Sequence, residues 1–280
     1  MPGLSRRIVY ITGGSSGIGL ETARMYSSLG DYVVIIARNP EKLEQARQDI
    51  EARKRFPDQR ICALAADVAD NEAVQEKMKE AVASFGAPDI LIANAGVGLA
   101  DYFENISFEA FDALMKTNVY GVRNVIAALL PFMKQRNCRM AIISSAAGLM
   151  GMLGYTAYGT SKYALVGLAE CLRGELKQHG IALTLVCPPE VDTPFVSKET
   201  EKIPAEARAL KNFAGTLKPG PVARAIVKGI ERRKFLVIPG MLAKLLYFSH
   251  RLTNGRASRM SADLIVRIVQ KYKSLFLRVK

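Results

Sequence analysis

Apolar residues along this chain cluster into short blocks separated by amphipathic stretches. Six runs, at Ile8–Thr12, Tyr32–Ala37, Ile61–Asp67, Ile90–Asn94, Met140–Ser145 and Ile181–Cys187, are rich in Ile, Val, Leu and Ala and do not alternate with polar residues. A strand with one wet face alternates, so a run apolar throughout predicts a parallel strand covered on both sides. Between these runs lie stretches that read as helices: Gly17–Leu29, Glu41–Arg55, Asn71–Phe85, Phe108–Gln135 and Ala157–His179. Strict alternation of strand and helix predicts right-handed βαβ units and an α/β fold with a doubly wound parallel sheet. After Cys187 the rhythm breaks. Residues Pro188 to Leu217 are rich in proline, charge and threonine and show no clear period, which predicts a long functional loop. A helix at Pro219–Arg233 and a short apolar run at Phe235–Pro239 follow, and no internal repeat appears.

The chain has 280 residues, 49% of them hydrophobic, enough for one sizeable core. The expected division is a dinucleotide-binding catalytic domain over 1–240 and a basic amphipathic tail over 241–280. The net charge of +13 changes its meaning once it is mapped. From Lys218 to Lys280 there are 15 Lys/Arg and 2 Asp/Glu, while the 24 bases and 24 acids of residues 1–217 cancel. A neutral body with a basic tail suggests an acidic partner for the tail. An anionic membrane surface and nucleic acid both have that chemistry. Nucleic acid is the weaker candidate, because Trp is absent and no base-stacking surface is evident.

Cys62, Cys138, Cys171 and Cys187 show no CxxC spacing and read as reduced core thiols in a cytosol-facing protein. His179 and His250 have no companion at metal-ligand spacing, so no metal site is expected. The stretch before the first strand is too short for a signal peptide or a membrane helix.

The first strand runs into Thr12-Gly13-Gly14-Ser15-Ser16-Gly17-Ile18-Gly19. Glycines 13, 17 and 19 let backbone pass close to a pyrophosphate, and the helix opening near Gly17 aims its N–H groups and positive dipole end there. A glycine pattern alone is a weak signal; here it follows a strand and opens a helix. The second strand ends in Arg38 rather than an acidic residue. A carboxylate there would hold the ribose 2′-hydroxyl of NAD, whereas a guanidinium suits the 2′-phosphate of NADP(H).

Tyr158 and Lys162 are one helical turn apart in YGTSKYALVGLAECL. A phenol loses its proton near pH 10 in water, and a nearby ammonium lowers that value into a range where proton exchange is useful. Ser144 and Ser145 stand at the carboxyl end of the fifth strand run, where a hydroxyl can hold a carbonyl oxygen as negative charge develops. A tyrosine on a helix or a serine at a strand end means little alone. Their order and placement together carry the inference.

These motifs resemble the short-chain dehydrogenase/reductase family. TGGSSGIG, Asp67 in ADV, Asn94-Ala95-Gly96, Asn118 in NVYG, Ser145 and Tyr158-x-x-x-Lys162 occur in family order over about residues 6 to 240. The resemblance implies a Rossmann-type sheet of about seven strands, with the basic tail as a helical C-terminal extension. It implies that Tyr158 is the general acid for ketone reduction, that Lys162 lowers its pKa, that Ser145 orients the carbonyl and that Asn118 holds a water relaying protons through Lys162. Asp67 with Val68 would sit near the adenine, and Asn94 would border the cofactor. Many members are dimers or tetramers.

Most members carry Pro-Gly after the sixth strand. This chain has Pro188-Pro189-Glu190-Val191-Asp192-Thr193-Pro194. That run, with TGGSSGIG and the ARN ending the second strand, is similar to the 3-ketodihydrosphingosine reductase branch. Thr193 would then lie over the nicotinamide carboxamide, with Pro188 and Val191 also against the cofactor. Eukaryotic members of that branch carry an N-terminal membrane helix ahead of the domain, and no such run precedes Ile8 here. The expected activity is NADPH-dependent reduction of a long-chain ketone, with 3-ketodihydrosphingosine the leading substrate. Steroid, retinoid or 3-oxoacyl substrates remain open, as does a catalytically silent NADP(H)-sensing protein.

In the tail, Ile265, Ile268, Tyr272, Leu275 or Phe276, and Val279 fall at helical spacing, with Arg267, Lys271 and Arg278 on another face. Such a helix can lie on an anionic membrane or pack on protein. The expected location is cytoplasmic, peripheral on the cytoplasmic face of a membrane.

Overall fold

The computed structural model describes residues 6–194 and 203–278, apart from the side chains of 212–214 and 273–278. Leu275, Phe276 and Arg278 of the tail pattern therefore lie outside the described side chains, and Val279 lies outside the described residues. The strands of the main sheet are β1 (Ile8–Thr12), β2 (Tyr32–Ala37), β3 (Ile61–Ala65), β4 (Ile90–Ala93), β5 (Arg139–Ile143) and β6 (Ala182–Val186). A last strand, formed by Leu236–Val237, completes the sheet. Short strands at Glu190–Val191 (β7) and Thr216–Leu217 (β8) form a separate pair, so Leu236–Val237 is β9.

The seven main strands are all parallel, in the order β3-β2-β1-β4-β5-β6-β9. Both faces are covered, as the unbroken apolar runs require. Successive residues still separate by face. Tyr10, Val34, Leu91 and Met140 point into one core, beneath α3 (Asn71–Phe85), α5 (Gly121–Met133) and α6 (Thr156–Gln178). Val9, Ile11, Val33 and Ile35 point into the other, beneath α1 (Gly17–Leu29), α2 (Pro40–Glu51) and an α-helix at Pro219–Glu231. The order of connection reverses between β1 and β4, which opens a crevice beyond their carboxyl ends.

Two expectations need correction. The stretch Phe108–Gln135 is not one helix. It divides into α4 (Phe108–Met115), a π-turn at Lys116–Tyr120, and α5. The stretch Pro188–Leu217 is not wholly irregular: it contains β7, an α-helix at Ala205–Ala214 (α7) and β8. The helix over Pro219–Glu231 is thus α8. Two more helices, α9 (Met241–Leu252) and α10 (Arg256–Arg278), follow β9. Ala243 of α9 is buried in the first core, and Tyr247 packs against it. Among the described residues, no helix is long and apolar enough to cross a membrane.

The thiols are also less uniform than core residues. Cys171 is exposed on α6 and Cys62 is half-buried. Cys138 is buried, its Sγ 3.4 Å from the Pro88 carbonyl oxygen. Burial pushes the Cys187 thiol up to about 12. Thiolate is the reactive form, so buried thiols kept protonated react slowly. The native protein is expected to expose a single fast thiol, Cys171, to a maleimide at neutral pH. Mass mapping after a brief pulse checks this: rapid labelling of Cys187 in the native state would contradict the packing.

Candidate active site

The glycine-rich turn after β1 is a tight backbone construction. Gly13 and Gly17 have φ of +65° and +54°, the left-handed region that favours glycine. A β-carbon on Gly19 would stand 2.2 Å from the Gly13 carbonyl oxygen and 2.6 Å from Asn94 Nδ2. The turn is tied to the sheet by the Gly13 amide, which donates to the Ile36 carbonyl at 2.7 Å. Asn94 reaches across from β4, and its Nδ2 donates to the carbonyls of Thr12 at 3.0 Å and Gly13 at 3.2 Å. Asn94 is therefore spent on holding the loop.

Ser16 is the N-cap of α1, yet its side chain makes no capping bond and no acidic residue occupies the first turn. The helix thus directs its first N–H groups and positive dipole end outward, with no carboxylate of its own to oppose an anion. Ser15 is half-buried, Ser16 exposed, and Ile18 packs against the second core. Bare backbone, two hydroxyls and a helix end fit the pyrophosphate of a dinucleotide.

Arg38 and Asp67 stand together where β2 and β3 end, with 3.9 Å between Nη1 and Oδ2. Both side chains are largely exposed, so this pair is weak and leaves the guanidinium able to turn to another anion. Asp67 Oδ1 accepts from the Ala69 amide at 3.0 Å. Val68 is different: its side chain is buried in the core and its carbonyl accepts from Asn124 Nδ2 at 3.0 Å. Its side chain therefore belongs to the core and is not a wall of the crevice.

The second cluster surrounds Tyr158 and Lys162. Both lie near the start of α6 and are buried, at 9% and 4% exposure. Lys162 Nζ is 5.6 Å from the Tyr158 ring centroid and donates to the Ile143 carbonyl, the last of β5, at 3.2 Å. Asn118 is fully buried in the π-turn. Its Oδ1 accepts from the Val97 amide at 2.7 Å, and its Nδ2 donates to the Val97 carbonyl and to Ser161 Oγ, each at 2.9 Å. A β-carbon on Gly96 would be 3.2 Å from Asn118 Oδ1 and 3.5 Å from Lys162 Nζ, so the bare Gly96 backbone sits beside both groups.

The two serines after β5 are separated in role. Ser144 Oγ is buried and donates to the Lys162 carbonyl at 2.8 Å, fastening α6 to the sheet. Ser145 caps a 3-10 turn at Ala146–Gly148, its Oγ accepting from the Ala147 amide at 3.2 Å. That leaves its O–H to donate elsewhere. The Pro188 carbonyl accepts from the Ala146 amide at 2.8 Å, which joins the loop after β6 to this turn. Val191 is buried in β7. The Thr193 methyl stands 3.0 Å from the β-carbon position of Gly17, so this loop closes over the glycine turn.

Thr12, Gly96 and Ser161 belong to the site, although the sequence motifs that contain them assign them no role. Thr12 Oγ1 accepts from the amides of both Asn94 and Ala95 at 3.0 Å, locking β1 to the loop after β4. Its place at the end of an apolar strand before two glycines is a usable signal. Ser161 offers none, because a serine inside a helix is common.

A parallel sheet reversing at a glycine turn, with Tyr and Lys one turn apart behind it, defines a dinucleotide-dependent oxidoreductase. The chain belongs to the short chain dehydrogenase family, whose model matches residues 7–204. It is similar to the 3-ketodihydrosphingosine reductase of Bos taurus, 37% identical over 81% of this chain and 69% of that protein. A 3-dehydrosphinganine reductase of Arabidopsis thaliana is 38% identical over 86% of this chain and 72% of its own. A short-chain dehydrogenase of Streptomyces avermitilis superposes with a TM-score of 0.78 at 27% identity, covering 95% of this chain and 98% of that one.

Proposed function

We propose that this protein uses NADPH to reduce the 3-keto group of a long-chain sphingoid base to a secondary alcohol. The observation that carries the chemistry is the buried Lys162 ammonium beside the Tyr158 ring, one turn apart on α6. The similarity to reductases of cattle and Arabidopsis supports the substrate. So does the apolar cluster in which Tyr158 sits, with Tyr155, Leu114, Ile203 and Ala207.

NADPH, when bound, supplies the hydride. The chain does the rest. The glycine turn and the N-terminus of α1 bind the pyrophosphate, and Arg38 takes the 2′-phosphate. Pro188, Val191 and Thr193 border the nicotinamide end. The Ser145 hydroxyl donates to the carbonyl oxygen and steadies it as it gains charge. The Tyr158 hydroxyl protonates that oxygen, its acidity raised by Lys162. Asn118, held by Val97 and Ser161, keeps the π-turn against Lys162 and offers a water site through which the proton is replaced.

A steady-state assay with a long-chain 3-keto base tests the reading. NADPH consumption well above that with NADH is expected, and Arg38→Asp should reverse the preference by removing the 2′-phosphate partner and supplying a ribose acceptor. Turnover of a steroid or retinoid ketone with none of the 3-keto base would replace the substrate. An unchanged cofactor ratio in Arg38→Asp would remove Arg38 from the site.

A further inference from the structure

The two C-terminal helices are apolar on both sides. Their inner faces rest on the body: Ala243 is buried in α9, and Ile265, Val266 and Val269 are half-buried in α10. A surface helix that has buried one apolar stripe normally turns polar residues outward. Here the outer face of α9 carries Met241, Leu245, Phe248 and Leu252, all exposed, at the spacing of one helical stripe. The outer face of α10 carries exposed Met260, Leu264, Ile268 and Tyr272 at successive turns.

The stripes are continuous. The elbow between the helices holds a depression of about 500 Å³ lined by both Leu252 and Met260, which are 86% and 71% exposed. The elbow is fixed by Gly255 at φ +75° and by a 2.7 Å hydrogen bond between His250 Nδ1 and Ser258 Oγ. An exposed apolar surface of this extent marks an interaction site.

Charge selects the partner. Residues 241–280 contain nine Lys/Arg and one acid, Asp263. Lys244, Arg251, Arg256 and Arg267 are exposed on the same helices. Two copies of this surface meeting face to face would oppose like charges. A nucleic acid would engage the bases and leave the apolar stripes in water. An anionic lipid surface satisfies both, taking the apolar stripe below the headgroups and the basic rim among them.

We infer that α9 and α10 together form a docking surface for an anionic membrane. Position gives the surface a use. α10 packs on α7, and Ala207 of α7 lies in the same cluster as Tyr155 and Tyr158. A docked protein holds the wall of the Tyr158 cluster next to the bilayer, so a long-chain ketone can pass from lipid to site without crossing water. That delivery rests on the reductase reading; the docking does not.

The test is co-sedimentation of the full-length protein with vesicles, read without turnover. Binding is expected to phosphatidylcholine vesicles containing phosphatidylglycerol, to weaken with added salt, and to be much lower for phosphatidylcholine alone. Leu245→Glu with Leu264→Glu should lower partitioning by about tenfold or more, while NADPH binding and melting temperature stay near wild type. Lys244→Ser with Arg256→Ser and Arg267→Ser should remove the preference for anionic vesicles. Failure of the wild type to bind anionic vesicles, or unchanged binding by the Glu variants, overturns the docking surface. So does a wild-type dimer that the Glu substitutions split while vesicle binding persists. Vesicle binding without reduction of the 3-keto base leaves the surface standing and removes only the substrate.

Discussion

Tyr158→Phe is expected to abolish most turnover while NADPH binds as before. The substitution removes one oxygen and keeps the ring. That ring is buried and packs edge-on against Tyr155, with centroids 6.0 Å apart and planes at 63°, so its apolar contacts survive. On the proposed mechanism, what is lost is the hydroxyl that would donate the proton. In water a phenol is too weak an acid to serve, and an ammonium one turn away favours the ionised form of such a group. Lys162 is only 4% exposed, where charge acts over a lower effective dielectric than at the surface, and its bond to the Ile143 carbonyl fixes where that charge stands. General acid catalysis contributes about 10²–10⁴-fold, and the drop in kcat should fall in that range. Fluorescence titration with NADPH separates binding from chemistry. Wild-type kcat in this variant would exclude Tyr158 as the proton donor.

Gly19→Ala is expected to damage the dinucleotide site more than any other single methyl group. The added β-carbon would be 2.2 Å from the Gly13 carbonyl oxygen, a backbone atom that cannot rotate away. It would also press on Asn94 Nδ2, which holds the Thr12 and Gly13 carbonyls. The turn must open, and α1 must shift against β1. Overpacking of this kind destabilises by about 1–3 kcal/mol, and a displacement near 1 Å at a positioning site weakens function by about a hundredfold. NADPH affinity and melting temperature should therefore fall together. A variant that binds NADPH as tightly as wild type would show that the turn does not cradle the pyrophosphate.

The main sheet was legible because its strands are apolar on both faces. Tyr32–Ala37 and Ile8–Thr12 matched the structure to the residue. The glycine turn, Arg38 and the Tyr158–Lys162 spacing were legible for a similar reason: each is local in sequence. The region after Cys187 was not. β7 and β8 have two residues each and α7 has ten, too short for a period to emerge among prolines and charges. The π-turn was hidden because the apolar pattern of Phe108–Gln135 runs on through it. The roles of Ser161 and Gly96 were hidden because they are relational. One accepts a hydrogen bond from Asn118, and the other leaves room beside Lys162.

The wide turn at Lys116–Tyr120 has a consequence for how the chain tolerates length changes. Its hydrogen bonds reach one residue further than in an α-helix, so it absorbs about one extra residue, near 100° of rotation. Upstream, that offset sets Asn118 inward against Val97. Downstream, it sets Val122, Val125 and Leu129 onto the sheet. Deleting one residue here would restore a regular helix and put the two halves out of phase: either the Asn118 amide leaves Val97 and Ser161 or the valines leave the core. This segment should accept substitutions at its exposed positions yet reject any indel, a signature that a deletion scan would read directly.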